Sequence, residues 1–582
     1  MMNPSPDFSP RHPATPTILS ALQVRAPAAA EAVAPYLDGL LYAQDAGHSF
    51  VCVGKVQAAV LKKARPVVGD GSEATPLVLQ GNRLYSGRLF ACEREIAEQL
   101  YRLSRSPVKL PESGYIAQRL CEWFPDPASQ EQKAAAALAL LQPFIWISGG
   151  PGTGKTTTVA KLLALLCGEA APLPRIALAA PTGKAAAHMT RSLHRALATF
   201  SVSDAVRAHL DALEGQTVHR LLRLHPLDAT PKYDAEQSLP YDIVILDEAS
   251  MLDFSLLLKI LRAVPEGGRL ILLGDEEQLP PVGIGALLPA LAQPTGLSRA
   301  QAEVLSAWLP EGIPFAVNDE PPPLSAHVVK LTRSHRFDPE RGVGALAQAI
   351  VSGLPEQAVA AFSHFENDLC WQTSPLPQLA KAFFVQQQTY WAAVAEGDPA
   401  ACLAAQQHCV VLTALRADAE AFNQEYRRLL VKAGKAGQAG WFAGQILMAA
   451  ENDYAVNIFN GDIGIVLPHG GGLAAFFPHG TGYRPVALSR LPLCDTAFAM
   501  TVHKSQGSEY KRVWLVPPQA PSAQAAALFD RTLLYTAVTR AKKTFVYAGD
   551  AEGLKQAVAR KSVRHSGLKE AIAKQFAQAD KA

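Results

Sequence analysis

The sequence has no long apolar run, no paired cysteines and no signal-peptide pattern. None of its apolar runs reaches the ~18 residues that a membrane-spanning helix needs. The stretch from Met1 to Pro16 is polar and rich in proline, without the apolar core of a signal peptide. The eight cysteines include no Cys-x2-Cys pair, so zinc and iron–sulfur ligation are unsupported and reduced thiols are expected. These absences predict a cytoplasmic protein with no membrane contact.

The sequence also lacks a charge excess of either sign. Its formal net charge is +2, so any contact with nucleic acid must come from local patches rather than from a global field. Hydrophobic residues make up 49% and charged residues 18%, as in ordinary soluble globular proteins. At 582 residues the chain is too long for one core, so three or four domains are expected.

A glycine-rich stretch follows the apolar run Pro143–Ile147, which we predict to be a buried strand. The spacing Gly149-x4-Gly154-Lys155-Thr156 fits the phosphate-loop pattern, and Val159–Leu166 is predicted to be the helix behind it. Loop N–H groups and the positive helix end would then hold a nucleotide phosphate chain. The alternative is a glycine-rich turn with a chance lysine, which the flanking elements disfavour. The predicted ATP-binding residues are Gly150, Gly152, Thr153, Gly154, Lys155, Thr156 and Thr157.

Three polar side chains receive more specific roles at this site. Lys155 would contact the β- and γ-phosphates, and the Thr156 hydroxyl would ligate Mg²⁺. Gln132 opens an alanine-rich helix just upstream, and its amide can both donate to and accept from an adenine edge. A glutamine on the surface of that helix is the alternative.

Two further strands end in acidic or amide side chains. Tyr241–Leu246 leads into Asp247 and Glu248, a pair that is costly beside a buried strand unless a metal or a reaction uses it. We predict that Asp247 holds Mg²⁺ through water and that Glu248 deprotonates the attacking water. The strand Arg269–Leu273 precedes Gln278, a predicted γ-phosphate sensor. Strand–loop–helix units in series predict a parallel sheet.

Eight motifs between residues 149 and 543 together resemble those of superfamily-one DNA helicases, and within them the RecD family of bacterial RecBCD complexes (exodeoxyribonuclease V). The motifs are GGPGTGKTTT, APTGKAAAHM, TVHRLL, ILDEASM, GDEEQLPPV, TRSHRF, TVHKSQGSE and LYTAVTRAKK. The resemblance implies an α/β fold with two RecA-like parallel-sheet motor domains, at 113–325 and 326–582. It also implies a small, mostly helical N-terminal domain at 1–112, and the composition of about 445–490 predicts a small β insertion in the second motor domain.

The resemblance further implies arginines that reach the γ-phosphate from the second motor domain. These are Arg336, from the TRSHRF motif, and Arg540, from TAVTRAKK. Arg333 is a second candidate in TRSHRF. An arginine supplied across a cleft makes hydrolysis depend on closure. Positions implied to contact DNA are Thr182, His219, Thr501 and His503. Their alternative role is to cap the helices that follow them.

By the same resemblance the chain would be a 5′→3′ helicase subunit that unwinds double-strand DNA ends for recombinational repair. It would use ATP and Mg²⁺, engage a single strand with a 5′ end, and join RecB-like and RecC-like partners in a heterotrimer. Residues 1–112 would dock onto the RecC-like subunit.

Three rival functions remain open at this stage. The Glu509-Tyr510-Lys511 triplet with Asp495 upstream could mark a metal-dependent nuclease, although the family assigns cleavage to the RecB-like partner. The second rival is a scaffold with a decayed ATPase, and the third is a stand-alone helicase outside any complex.

Overall fold

The computed structural model describes residues 11–168, 172–225, 228–453, 455–480, 482–519 and 523–579. Its N-terminal region combines helices with a small sheet of order β1-β4-β3-β2. From the sequence we predict helices at Ile18–Tyr42 and Glu93–Leu103 in this region, and one short strand at Phe50–Val53. The elements of this region are α1 (Thr15–Arg25), α2 (Pro27–Asp45), β1 (Phe50–Cys52), α3 (Lys55–Leu61), β2 (Val68–Gly69), β3 (Leu77–Gln80), β4 (Arg83–Ser86) and α4 (Gly87–Ser104).

The first parallel sheet has six strands in the order β12-β5-β9-β8-β6-β7. Its central strands are continuous apolar runs because helices cover both of its faces. The elements are α5 (Ser113–Trp123), α6 (Gln130–Leu141), β5 (Phe144–Gly149), α7 (Lys155–Cys167), β6 (Ile176–Ala180), α8 (Gly183–Leu197), α9 (Asp204–Asp211), β7 (Gly215–Thr217), α10 (Val218–Leu221), β8 (Ile243–Leu246), α11 (Phe254–Ala263), β9 (Arg269–Gly274), α12 (Leu287–Leu291), β10 (Gly296–Leu297), α13 (Arg299–Trp308), β11 (Ala316–Val317) and β12 (Val328–Leu331).

The second parallel sheet has five strands in the order β13-β22-β21-β14-β20. The remaining elements are α14 (Gly342–Ser352), α15 (Pro355–His364), β13 (Leu369–Trp371), α16 (Leu376–Gln386), α17 (Gln388–Glu396), α18 (Pro399–Gln406), β14 (Cys409–Thr413), α19 (Arg416–Lys432), β15 (Ile446–Ala449), β16 (Ile463–His469), β17 (Gly472–His479), β18 (Gly482–Ala487), β19 (Cys494–Thr496), β20 (Ala499–Thr501), β21 (Tyr510–Val516), α20 (Ala523–Leu528), α21 (Arg531–Val538), β22 (Ala541–Tyr547), α22 (Ala551–Ala559) and α23 (Leu568–Ala579).

A separate antiparallel sheet is inserted between α19 and β20. Its strand order is β18-β17-β16-β15-β19, and it has its own core around Leu447, Ile458 and Val466. This is the small β insertion predicted at about 445–490, and its outer strand β19 extends a few residues further. The fold class expected from the sequence, with two parallel sheets, a helical N-terminal region and a β insertion, is confirmed.

The chain crosses between the two parallel sheets at other positions than the sequence predicts. Strand β12 pairs with β5 in the first sheet, although we expect the second motor domain to begin at 326. Helix α4 packs on α11 beneath the first sheet, although it falls within the expected N-terminal domain. Both differences arise from pairings between residues that are distant in sequence, which local composition does not indicate. The limits of independently folding domains stay a prediction.

The end of the described chain also returns to the first sheet. After α22, residues 560–567 run without regular structure; we call this segment the return strap. Helix α23 then packs on α4 and α12, with Leu568, Ile572 and Phe576 buried in the core of the first sheet. In the part of the chain that the structure describes, no helix is long and apolar enough to cross a membrane.

Candidate nucleotide site between the two parallel sheets

The phosphate loop occupies residues 149–154, between the end of β5 and the start of α7. Gly152 and Gly154 have φ angles of +79° and +83°, which side chains other than glycine rarely adopt. A Cβ on Gly154 would also lie 2.2 Å from the Gln132 amide nitrogen. Thr153 Oγ1 donates to the Gly150 carbonyl at 2.9 Å and closes the turn. The loop therefore has the backbone shape that presents N–H groups to an anion.

Lys155 begins α7, followed by Thr156 and Thr157 in the first helical turn. The Lys155 ammonium donates to the carbonyls of Gly149 and Gly150, the latter at 3.2 Å. It thus lies against the loop itself, where it can exchange backbone carbonyls for phosphate oxygens. Seven of the eight predicted ATP-binding residues lie in this loop and turn, and the eighth, Gln132, lies on α6.

Asp247 and Glu248 follow the carboxyl end of β8, as the sequence predicts. The Asp247 carboxylate accepts a hydrogen bond from the Glu248 backbone N–H at 2.9 Å, and Glu248 has a left-handed φ of 52°. Burial raises the pKa of Asp247, the neighbouring Glu248 charge raises it further, and Lys155 opposes both effects. An acid held in such surroundings gains from a bound cation.

The protein offers few ligands for a metal at this position. Among the described residues, no group of three or more His, Cys, Asp or Glu side chains is placed to hold a metal ion. Thr156 and Asp247 both line the cleft. A hydroxyl and a carboxylate fit Mg²⁺, which usually takes its remaining ligands from substrate phosphates and water.

A hydrogen-bonded cluster joins the two sheets across the cleft. Gln278, after β9, donates to Asp275 at 3.1 Å and accepts from the Arg540 guanidinium at 2.9 Å. Tyr535, on α21, donates to the same Asp275 carboxylate at 3.1 Å. The Thr536 hydroxyl accepts from the Leu279 backbone N–H at 3.0 Å. The sequence predicts Gln278 and Arg540 but misses Asp275 and Tyr535.

Asp275 could have been found by its position, because it ends β9 just as Asp247 ends the neighbouring β8. Its side chain is buried, and burial raises its pKa, while Lys155 and the hydrogen bonds from Glu277, Gln278 and Tyr535 oppose that rise. No comparable signal in the sequence marks Tyr535.

Arg336 lies over the phosphate loop but does not come from the second sheet. It follows β12, which belongs to the first sheet. Its motif contacts the loop directly, since Ser334 Oγ donates to the Pro151 carbonyl at 3.2 Å and the His335 N–H donates to the Gly152 carbonyl at 2.8 Å. The expectation that Arg336 reaches across from the second domain is therefore corrected. Its guanidinium pairs with Glu509 from the second sheet.

Arg333 is exposed and does not line the cleft, whereas Arg336 does. Gln132 packs under the loop, where its amide nitrogen donates to the Thr153 carbonyl at 3.0 Å and lies 2.9 Å from His335 Nε2. In this arrangement Gln132 supports the loop, and its contact with adenine stays a prediction.

The cleft that these groups line has a volume of about 1340 Å³. It is bounded by the phosphate loop, α8, the β9 loop, the β insertion and the start of β22. Its walls therefore come from both parallel sheets, so a ligand inside it would contact both.

The predicted DNA contacts lie outside this cleft. Thr182 follows the carboxyl end of β6 and Thr501 is the last residue of β20. Each hydroxyl accepts a hydrogen bond from a backbone N–H, that of Ala185 at 3.2 Å and that of Lys504 at 3.4 Å. Burial is the main cause that lowers the pKa of both His219 and His503. The capping alternative thus describes Thr182, which is the N-cap of α8, whereas Thr501 accepts its hydrogen bond from the turn that follows it without being a helix N-cap. Contact of either threonine with DNA stays a prediction.

The residues of the nuclease alternative do not come together. Glu509 pairs with Arg336 and, at 3.2 Å, with Lys542, whereas Asp495 pairs with Lys504 and, at 3.4 Å, with Arg416. Each carboxylate is thus neutralised by its own basic partners, an arrangement that does not favour a shared metal.

Comparisons with known proteins match most of the chain. Residues 132–284 match the family model described as AAA domain, and residues 496–546 match the one described as UvrD-like helicase C-terminal domain. The RecBCD enzyme subunit RecD of Mycobacterium tuberculosis is 36% identical over 520 residues, which cover 87% of this chain and 83% of that protein. The RecD subunit of Haemophilus influenzae is 32% identical, covering 85% and 81%.

Two more distant similarities complete the comparison. The ATP-dependent RecD2 DNA helicase of Deinococcus radiodurans is 28% identical over 76% of this chain but only 52% of its own length. Among solved structures, a Pif1 helicase from Bacteroides in complex with ADP-AlF3 and ssDNA aligns with 75% of this chain and 93% of its own, at 17% identity and a TM-score of 0.38.

Proposed function

This chain belongs to the RecD family of RecBCD enzyme subunits, and on that premise we propose that it is an ATP-driven DNA helicase subunit acting on double-strand ends. The observation that carries this proposal is the hydrogen bond between Gln278 and Arg540, which joins the two parallel sheets beside the phosphate loop. This hydrogen bond connects the nucleotide site to the second sheet, so a change at the site would move one sheet relative to the other.

ATP is the proposed substrate of the cleft. The loop N–H groups and the Lys155 ammonium would hold its phosphates, and Glu248 would orient and deprotonate the attacking water. Arg336 and Arg540 would balance the charge that develops on the transferred phosphoryl group. In the present arrangement Arg336 pairs with Glu509, so it must exchange that partner for the phosphate.

Thr156 and Asp247 would hold Mg²⁺, which neutralises phosphate charge when bound. The raised pKa of Asp247 supports this assignment, because a nearby cation would stabilise the ionised carboxylate that burial disfavours.

Movement of one sheet relative to the other would be transmitted by the hydrogen-bonded groups that bridge the cleft. Arg540, Tyr535 and Thr536 all come from one short segment around α21, and they contact the loop from Asp275 to Leu279. Any change in how Gln278 meets the nucleotide would therefore shift α21 and the second sheet. DNA held across the carboxyl ends of both sheets would be carried by that shift, mainly through its phosphates.

We extend the proposal to partners and direction through the family. The names of the similar RecD proteins describe a subunit of the RecBCD enzyme, so RecB-like and RecC-like partners are expected, with cleavage on the RecB-like chain. The N-terminal region is proposed as the docking face for the RecC-like partner, and 5′→3′ movement as the direction. The stand-alone alternative is less favoured because the RecD subunit of Mycobacterium tuberculosis is more similar to this chain, at 36% identity, than the RecD2 helicase is, at 28%.

The first test is ATP hydrolysis by the purified chain, with and without single-stranded DNA, for wild type and Lys155→Gln. Loss of the lysine should reduce turnover by at least about a hundredfold, because the transferring phosphate loses its main fixed countercharge. Lys432→Gln makes the same chemical change on the exposed end of α19 and should leave turnover unchanged. Hydrolysis that ignores DNA would contradict the motor function.

Strand displacement from substrates with a 5′ or a 3′ overhang then tests direction. Co-purification with RecB-like and RecC-like chains tests the complex. A chain that unwinds DNA but binds neither partner would instead support the stand-alone alternative.

A further inference from the structure

The return strap, residues 560–567, contacts the region of the second sheet, the first sheet and the N-terminal region, and none of its residues lines the nucleotide cleft. At one end the Arg560 guanidinium donates to the carbonyl of Phe529 at 2.9 Å, beside α21. In the middle Arg564 reaches the first sheet, and at the other end the Gly567 N–H donates to the buried Glu93 at 3.0 Å. The strap therefore crosses from the second sheet to the N-terminal region over the first.

Arg564 is held there by carbonyl oxygens. Its Nη1 donates to Gly283 at 2.6 Å and to Gly285 at 3.3 Å, in the loop that follows β9. A Cβ on Gly47 would lie 2.5 Å from the guanidinium carbon, so the N-terminal region packs on it as well. Within the described ranges, no carboxylate forms an ion pair with Arg564. Carbonyls fix its position but leave its positive charge without a counterion.

The position of this charge is between the carboxyl ends of the two parallel sheets. The Gly283–Gly285 loop follows β9 of the first sheet, and His503 follows β20 of the second. Arg564 is close enough to His503 to lower the pKa of that imidazole, although burial is the larger cause and Asp530 acts in the opposite direction. The charge thus lies among the positions that the proposed function assigns to DNA.

The surface around Arg564 combines a second cation with exposed apolar groups. Lys561 is exposed on the strap, and Val563, between it and Arg564, is 58% exposed. Val282, next to the glycine that accepts the Arg564 hydrogen bond, is 85% exposed. Cations along a surface are typical of grooves that follow the backbone of a single strand without sequence preference.

We propose that residues 561–565 of the return strap form a further contact for the backbone of single-stranded DNA, with Arg564 as its main phosphate ligand. The inference rests on the proposed function, because it assigns the strand's path across the two sheets. It deepens that function by adding a point where one segment holds the strand and both sheets together.

The test measures the affinity of the full chain for a fluorescent oligothymidine strand by anisotropy, without nucleotide, over a series of KCl concentrations. Arg564→Gln should weaken binding roughly threefold to thirtyfold at moderate salt. It should also reduce the slope of log K against log[KCl] by about 0.7, the value for one phosphate contact on a single strand. Arg564→Lys keeps the charge and should keep the slope.

Arg560→Gln is the matched control, since Arg560 lies on the same strap with its guanidinium also on carbonyl oxygens, but at the second-sheet end. It should leave the salt slope unchanged. If Arg564→Gln and Arg560→Gln weaken binding equally and neither alters the slope, the strap only supports the fold and the inference is overturned.

A second variant keeps the test decisive if Arg564→Gln is unstable. Lys561→Gln removes an exposed charge, and it should also lower the slope; an unchanged slope would count against the strap as a DNA contact. Failure of the proposed function would look different, because the wild-type chain itself would then neither bind the strand nor hydrolyse ATP in response to it.

Discussion

At the scale of single residues, one buried histidine makes stability depend on pH. His327 is 8% exposed, and its Nδ1 donates to the Phe144 carbonyl at 2.6 Å. Burial lowers its pKa to about 4, with nearby Arg105 adding to the effect and the Phe144 carbonyl opposing it. In the unfolded chain His327 takes up a proton near pH 6.5, whereas in the folded protein it stays neutral down to about pH 4. The free energy of unfolding should therefore fall by roughly 3 kcal/mol from pH 7 to pH 4 on account of this residue.

The measurement compares the pH dependence of thermal unfolding for wild type and His327→Gln. Glutamine can still donate to the carbonyl but does not titrate, so the variant should lose less stability below pH 6.5. His364→Gln, on the exposed face of α15, is the control and should follow the wild type. Parallel curves for wild type and His327→Gln would contradict the assignment.

The candidate site could be predicted from the sequence where its chemistry is local. Lys155 and Asp247 each sit in a short pattern that predicts the element and a role, and both residues line the cleft. The hydrogen bond from Tyr535 to Asp275 joins residues 260 positions apart, so no local pattern contains it. Arg336 could be predicted only in part, because its motif identifies the residue but not the sheet from which it comes.

At the scale of elements, helix α23 should contribute to the stability of the first sheet. Phe576 packs edge-on against Tyr101 of α4 with ring centroids 4.9 Å apart. Phe576→Ala should cost about 3 kcal/mol, because it leaves a cavity between α23 and α4. Amide hydrogen exchange in α4, followed by mass spectrometry, should then speed up roughly a hundredfold if that unit opens together.

Lys574→Ala changes an exposed residue of the same helix and serves as the control. It should leave exchange in α4 unchanged. Equal exchange in both variants would mean that the packing of α23 does not stabilise α4.

Elements were predictable in proportion to their length and burial. Strands β5, β6, β8 and β9 are continuous apolar runs, so the sequence alone indicates a parallel sheet buried on both faces. The two- to four-residue strands β2 to β4 are too short to show alternation. The segment 293–325, rich in proline and alanine, resembles a linker, yet it contains α13 and two short strands. That resemblance to a linker is why the expected boundary falls before β12.

At the scale of the whole molecule, hydrolysis should depend on the arginine that crosses the cleft. Arg540→Lys keeps the charge but loses the planar fork that reaches Gln278, Thr536 and Ser508. We expect kcat for ATP to fall by about a thousandfold. Nucleotide affinity, measured with a fluorescent analogue, should change only a few-fold, since the phosphate loop is untouched.

Arg531 begins α21, the helix that ends just before Arg540, but its guanidinium donates to the Val558 carbonyl within the second sheet's own region, at 2.8 Å. The substitution Arg531→Lys is the matched control and should retain kcat. Equal losses in the two variants would show that the effect comes from disturbing α21 rather than from the contact across the cleft.

The return of α23 to the first sheet has a consequence for how the protein is made. The hydrogen bond from Ser566 to Glu93 closes a loop of 473 residues, and the core of the first sheet is complete only when α23 has joined it. During synthesis the apolar face of α4 that packs on α23 would stay exposed until the ribosome has made the second half of the chain. At ordinary elongation rates that interval is on the order of tens of seconds. A chaperone or an early-binding partner that shields this face would thus matter more for the yield of folded protein than for its final stability.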